Sequence, residues 1–354
     1  MESKPGAHRL VIGCFAFFSL LSQHTLAQKG KRELDSLSRT MYVEQFKSYF
    51  FVWPVLKQRN TSFFFKNGNT KLSYAPNVNY HLGAGFFVFG LGVQIVFPLS
   101  PSSQSEKIYG HSSAVDIQAN VLGKNWGVDL FTQNYRGYYL EDNNKPLGKD
   151  IPRIQRPDIT TWNNGVNGIY FFNKRRYSMR STYNYYERQL RSAGSFIISG
   201  NFNIFSMRAD SLLFSSSYQP VLGYAANVNK MDYTTVSVAP GYAYTFVIRK
   251  SYFIGMAAAV GPAFNWLRYS SSNEVWKSIA GINSYLDLRL STGYNSEHFF
   301  IGIAYSIQTR DILYEGILFS SSNGSFKFAT GYRFKEVGIL KRRAYDIFRP
   351  KSSL

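Results

Sequence analysis

Between Ile282 and Ser291, in the string I-N-S-Y-L-D-L-R-L-S, alternate residues fall into two sets. Ile282, Ser284, Leu286, Leu288 and Leu290 form one; Asn283, Tyr285, Asp287, Arg289 and Ser291 form the other. Side chains of a β-strand point alternately to two faces, so this spacing predicts a strand with an aliphatic face and a charged face. A helix would spread Asp287 and Arg289 across its apolar stripe. Such a segment is also about as long as a tilted strand needs to cross a bilayer.

The pattern recurs. Residues 78–88 set Val78, Tyr80, Leu82, Ala84, Phe86 and Val88 against Asn79, His81, Gly83 and Gly85, and Leu91, Val93, Ile95 and Phe97 return after a turn at Gly90. Further alternating segments lie at 112–123, 125–138, 160–172, 176–189, 196–204, 236–246, 254–264, 299–308 and 326–334. Between 46 and 74, aromatic pieces broken by Pro54 and by Asn67-Gly68-Asn69 predict an extra strand or a plug element. Soluble sandwiches alternate as well. The aromatic residues near segment ends favour the barrel, because membrane barrels carry aromatic girdles at both interfaces. Transmembrane helices at 84–99 and 252–267 are a poorer reading, since each falls short of the usual length of about 20 residues and holds glycines and a proline. The expected fold is therefore all-β, a membrane-spanning antiparallel up-and-down β-barrel of about 12 strands. A strand hidden within 212–222 and another near 60–75 would make 14.

Composition fits. Charged residues make up 17% of the 354, below the roughly 25% of soluble domains, while Tyr and Phe together number 56. The mean hydropathy is slightly negative, as expected when half of each strand is polar. At the N-terminus, Lys4 and Arg9 precede the apolar run Leu10 to Leu21 and the small-residue site Thr25-Leu26-Ala27. That order predicts a cleaved secretory signal peptide over 1–27. Val11-Ile12-Gly13-Cys14 superficially resembles a lipoprotein box, but most of the apolar run follows Cys14. A polar lead-in (28–45), a barrel (46–334) and a basic tail (335–354) follow. Cleavage would remove the single cysteine, Cys14, and lower the formal charge from +19 to +18. A disulfide scaffold and thiolate metal sites are thereby excluded. A charge of that size favours anionic partners. Behind an export signal these are lipopolysaccharide and anionic solutes rather than nucleic acid. The expected location is the bacterial outer membrane, with outer-membrane lipid, lipopolysaccharide and the barrel-assembly machinery as partners of a monomer.

Several strings occur together in order: Tyr74-Ala-Pro-Asn77, Asn134-Tyr-Arg-Gly-Tyr-Tyr-Leu140, Arg156-Pro-Asp158, Phe172-Asn173 before Arg176-Tyr-Ser178, Gln189-Leu-Arg-Ser-Ala-Gly-Ser195 and Gly241-Tyr-Ala-Tyr-Thr-Phe246. As an ordered set over residues 45–334 the chain resembles a family of exported proteins, domain of unknown function 4421. Ala75 departs from the basic residue expected there. The resemblance implies an outer-membrane-type barrel and brings no activity or catalytic residues with it.

Beyond the signal, the histidines are His81, His111 and His298, and HExxH and phosphate-binding glycine motifs are lacking. No metal site or cofactor is expected. His111 and Ser113 fall on one strand face with Asp116 nearby, the pattern of a weak Ser–His lipid hydrolase or acyltransferase; a Ser-rich loop that happens to hold a histidine explains them equally. The inward charges carry more weight. Arg176, Arg180 and Arg188 share a face of one predicted strand, Asp287 and Arg289 share another, and Asp116, Asp129, Lys327 and Arg333 join them as candidate lumen-lining groups. Charges out of bulk water must pair or line a wet lumen. Three roles follow: a structural or binding barrel stiffened by internal salt bridges, a narrow channel for small anionic solutes, or a lipid-modifying enzyme. The first is preferred, because small barrels are filled by their own side chains.

Overall fold

The computed structural model describes residues 38–46, 49–77, 80–88, 91–223, 227–271 and 275–338. The expected signal peptide, the lipoprotein-like box and most of the basic tail lie outside them. In chain order the first strands are β1 (Val43–Gln45), β2 (Tyr49–Asn67), β3 (Thr70–Ala75), β4 (Tyr80–Val88), β5 (Leu91–Pro98), β6 (Ser113–Leu122), β7 (Trp126–Asp142) and β8 (Ile154–Phe171). They are followed by β9 (Glu187–Gln189), β10 (Ala193–Arg208), β11 (Lys230–Ile248), β12 (Tyr252–Ser270), β13 (Lys277–Asn295), β14 (Phe299–Tyr314) and β15 (Ile317–Lys335). Short helices are α1 (Ser103–Tyr109) and α2 (Gln219–Leu222).

Thirteen of these strands form one antiparallel sheet, and ten close into a ring. Closure joins the first long strand to the last: β15 runs along β2 from the Leu318–Lys66 pair to the Lys335–Tyr49 pair. The two alternating segments first read as possible helices are the β4–β5 hairpin and β12. No helix among the described residues is long and apolar enough to cross a membrane.

The wall is built differently at its two levels. Near the end where β2 starts and β15 stops (the terminal end), β2 pairs with β4, which pairs with β5. Toward the other, distal end, β2 pairs instead with β3, and β3 bridges to the last residues of β7. β6 pairs with the earlier part of β7. Among the described residues no ladder joins β5 to β6, so the terminal half of the wall has two free edges facing each other.

The period-two pattern decides what faces where. Phe196, Ile198, Val238, Val260 and Ile282 are exposed on the outer surface, whereas their neighbours Ser199, Asn201, Ala239, Ala259 and Tyr285 are buried inside. Along β12 the outward residues run from Tyr252 through Ile254, Met256, Val260 and Phe264 to Trp266, aliphatic in the middle and aromatic at the ends. That is the banding of a barrel wall that meets hydrocarbon between two aqueous interfaces.

Inside, three layers fill the ring. At the distal end an apolar cluster of Phe63, Tyr74, Phe205, Tyr233 and Phe319 packs with Leu213 and Leu222 from the 209–229 connection, which lies over that mouth. Arg156 fixes this connection by donating to the carbonyls of Leu212 and Leu213 at 2.9 and 2.5 Å. The middle layer is polar. The terminal layer is a plug, and here the sequence expectation is corrected.

Residues 176–189 are not a barrel strand. β8 and β10 pair directly from Phe171–Ile197 onward, leaving no slot between them. The intervening chain turns at Asn173, whose carbonyl accepts from the Tyr177 amide at 3.0 Å. It then enters the lumen through a 3-10 turn at Met179–Ser181 and β9, which pairs with β1. The alternation misled because its odd-numbered set (Tyr177, Met179, Tyr183, Tyr185) is amphipathic. These side chains pack against the inner wall, in its apolar clusters, rather than facing outward. Tyr185 holds a left-handed φ of 58° and stacks on Phe300 at 4.5 Å. The strand sought within 212–222 is likewise replaced, by a 3-10 turn at Ser216–Tyr218 and α2, with Pro220 in the first helical turn.

Gly85 permits this packing. A Cβ at that position would stand 2.0 Å from the Trp53 ring, which is buried on the adjacent strand. Gly85→Val is expected to destabilise the barrel by about 1–3 kcal/mol through overpacking. The check is a lower temperature at which the compact, fast-migrating form disappears on an unheated gel.

Candidate functional site

The middle layer carries most of the sequence-predicted charges. Arg289 donates to Asp287 at 2.9 and 3.1 Å and to Asp129 at 3.2 Å, so one guanidinium holds two carboxylates from opposite sides of the lumen. Ser199 adds a 3.0 Å bond to Asp287, and Asn120 donates to Asp129. Asp116 lies 3.3 Å from Arg59 and accepts from Gln133 and Tyr135 at 2.9 and 2.8 Å. Around them runs an amide chain: Asn163 donates to Gln133 at 2.7 Å and Asn167 to Gln308 at 2.9 Å. Such groups were drawn inward because β7, β8, β10 and β13 each put every second, polar residue on the concave face.

Arg333, also on the concave side, reaches the plug. It donates to the carbonyls of Tyr185 and Ser296 at 2.6 and 2.7 Å and to Asn295 at 2.8 Å, with the Phe46 ring 3.9 Å from its guanidinium. The other three predicted arginines are not on the wall at all. Arg180 faces Glu187 at 3.5 Å, Arg188 faces Glu44 at 2.6 Å, and Arg176 packs over Tyr42. They belong to the plug, and their carboxylate partners are Glu187 and Glu44 rather than Asp116, Asp129 or Asp287. Arg39 completes that knot by donating to Glu187 at 2.5 Å.

Between plug and middle layer lies a cavity of about 340 Å³. Lys57 and Lys327 border it and are register partners on β2 and β15, directly across the ladder that closes the ring. Neither ion-pairs with a carboxylate among the described residues; Lys327 donates to the Tyr183 carbonyl. On the middle and terminal stretches of the barrel strands, the inward charges are six cations (Lys57, Arg59, Arg289, Arg310, Lys327, Arg333) and three carboxylates (Asp116, Asp129, Asp287). Like charges opposite one another on adjacent strands repel, so the pair of lysines is a site suited to an anion. Tyr186 of the plug also borders the cavity, and burial pushes its hydroxyl up to about 12.

The candidate hydrolytic set is not assembled. His111 contacts Glu106 at 2.9 Å on the surface, and Ser113 is exposed at the start of β6. Asp116, the acid that would support them, points into the lumen toward Arg59. Among the described residues no group of three or more metal-ligating side chains comes together.

Lys57, Arg59 and Arg310 were missed by sequence reasoning. β2 mixes aromatic residues on both faces (inward Phe51, Trp53, Phe63 and Phe65; outward Phe50 and Phe64), so its polarity does not alternate and Lys57 and Arg59 carry no face label. Arg310 stands two residues beyond Gln308 on the same face, and extending that alternation would have reached it.

A closed antiparallel barrel with a packed lumen and an in-folded plug defines the class. The chain belongs to the family Domain of unknown function (DUF4421), whose profile matches residues 33–334. No curated protein matches the sequence significantly. Similar solved structures include the outer membrane protease OmpT from Escherichia coli, at 7% identity over 82% of this chain and 98% of that one, with a TM-score of 0.37. The translocator domain of the autotransporter NalP from Neisseria meningitidis matches at 10% identity, covering 88% and 98%, with a TM-score of 0.35. The beta domain of the Bordetella autotransporter BrkA matches at 10%, covering 81% and 100%, with a TM-score of 0.32. At these identities and scores they carry nothing about activity.

Arg289 supplies the sharpest energetic test. Arg289→Met leaves Asp287 and Asp129 without their shared cation in a largely buried layer, a loss of about 3–5 kcal/mol for a truly buried pair and less where the cavity admits water. Thermal unfolding should show the loss, and adding Asp287→Asn should recover a substantial part of it.

Proposed function

We propose that the chain is a bacterial outer-membrane barrel that binds rather than conducts. The membrane reading is supported by the closed ring and by the band of outward aliphatic residues between aromatic ends. One observation carries the binding reading: the lumen is filled at both mouths, by the apolar cluster under the 209–229 connection and by the 173–192 plug, while the cavity between them holds two lysines without carboxylate partners. A sealed pipe cannot pass solutes along its axis, yet it can hold an anionic ligand. Lipid and lipopolysaccharide are then its surroundings, and the barrel-assembly machinery its route of insertion. The hydrolase reading has less support, since His111, Ser113 and Asp116 point in different directions.

Purified protein should run faster unheated than boiled and should give no unitary conductance steps in a planar bilayer. Recovery from the soluble periplasmic fraction without a mobility shift would refute the membrane reading. Anion-selective steps would refute the sealed lumen and favour the channel.

Orientation follows from loop lengths. At the terminal end 249–251 and 296–298 are short and the one long connection, 172–192, folds into the lumen; at the distal end 143–153 and 209–229 are long, although 315–316 is a tight turn. Membrane barrels of bacteria keep short turns on the periplasmic side. A single cysteine at Lys149 should therefore be labelled by an impermeant reagent on intact cells, and one at Ser296 only after lysis. The reverse pattern would invert the topology.

A further inference from the structure

We propose that the gap between β5 and β6 is a lateral portal through which an anionic lipid seats its headgroup in the barrel, on Lys57 and Lys327. The proposal rests on the sealed-barrel reading and names the ligand class for that same cavity.

The first observation is the interrupted wall. Peptide groups that face hydrocarbon need partners, and open sheet edges do not occur there unless they line a cavity or are covered. Here the edges of β5 and β6 are both free among the described residues, and they lie within the apolar band: Ile95 and Phe97 on β5 and Val115, Ile117 and Val121 on β6 are exposed on the outer face.

The second is continuity between the gap and the cavity. Gln118 and Asn120 belong to the inner face of β6, yet both are exposed, unlike the inner-face residues of the intact wall opposite. The cavity borders them together with Ala119 and Val121, which belong to the outer face, and with Gln94 of β5. The cavity therefore reaches the facing edges of β5 and β6 from the inside, where Gln94, Gln118 and Asn120 lie. The polarity is graded: the outer faces of the two edge strands are apolar (Ile95, Phe97, Ile117, Val121), the edge is amide-lined (Gln94, Gln118, Asn120) and the interior carries Lys57 and Lys327.

That gradient matches an amphiphile entering head first, and the paired lysines select charge. Two ammonium groups held opposite each other, neither ion-paired among the described residues although Asp129, itself bonded to Arg289, borders the same cavity, offer a phosphate oxygen two charge-assisted bonds. A neutral or zwitterionic head gains less. The acyl chains remain in the bilayer, which removes the need for an apolar chamber inside and agrees with a cavity of only about 340 Å³.

Native mass spectrometry of the full-length barrel, released gently from nanodiscs of mixed phosphatidylglycerol and phosphatidylcholine, tests this. One phosphatidylglycerol should remain bound per barrel, and Lys57→Gln with Lys327→Gln should lower its retention by roughly tenfold or more, the scale of a lost charge-assisted bond. The double Lys→Arg variant should keep it. Without lipid, the glutamine variant should melt no lower than the parent, because removing two opposed cations relieves repulsion; a large drop would make the lysines structural and overturn the proposal. Equal retention of phosphatidylcholine would overturn it too. So would displacement of the bound lipid by millimolar inorganic phosphate, which would mark a free-anion site, or a co-purifying polypeptide strand held at the gap in place of lipid. Conductance on the same preparation tests the sealed lumen separately, so the two readings can fail independently.

Discussion

A peptide group in hydrocarbon has no water to turn to, so each N–H and C=O in the wall must find another strand. Most of what is seen here follows. It forces the last long strand, β15, back onto the first, β2, over almost their whole lengths. It makes the outer surface a by-product of the same geometry, since strands that pair edge to edge expose one face to lipid and turn the other inward. It also makes the stretch between β5 and β6, where no ladder forms among the described residues, a departure from the wall's own rule.

Closing a ring of ten strands creates a lumen that has to be filled or wetted. The chain does it with three materials. Aromatic and aliphatic side chains fill the distal third, amides and ion pairs the middle, and a folded-in connection the terminal third. The middle layer is costly to assemble, because each charge surrenders water and must recover it from a neighbour. Arg289 shows how this is met, with Asp287 from its own strand and Asp129 from across the barrel. The plug obeys the same accounting. Its backbone leaves the sheet, and Arg333 and Asn295 satisfy the carbonyls of Tyr185, Ser181 and Glu187 that a strand would have paired.

The wall was legible in the sequence because it repeats. Ser199, Asn201 and Asn203 could be assigned inward from their alternation with Phe196, Ile198, Phe202 and Ile204, and the burial of each agrees. The plug was not legible, since Tyr177, Met179, Tyr183 and Tyr185 satisfy a lipid-facing pattern as well as a lumen-facing one, and only the direct pairing of β8 with β10 separates the two. The candidate site was half legible. Asp129, Asp287 and Arg289 stand on clean alternating strands. Lys57 and Arg59 stand on β2, which carries aromatic residues on both faces. That Lys57 opposes Lys327 depends on a register between residues 270 positions apart, which no local pattern contains.

The clamp on the plug bears on how long it stays in place. β9 is held by β1, and β1 leads directly into β2, the strand that waits for β15. The plug and the strand on which the ring closes are thereby tied together in the finished fold. Once the ring is shut, withdrawing the plug means parting from Arg39, Glu44, Asn295 and Arg333 together. Its lifetime inside is then the lifetime of the fold, and the plug behaves as an internal keystone rather than a gate.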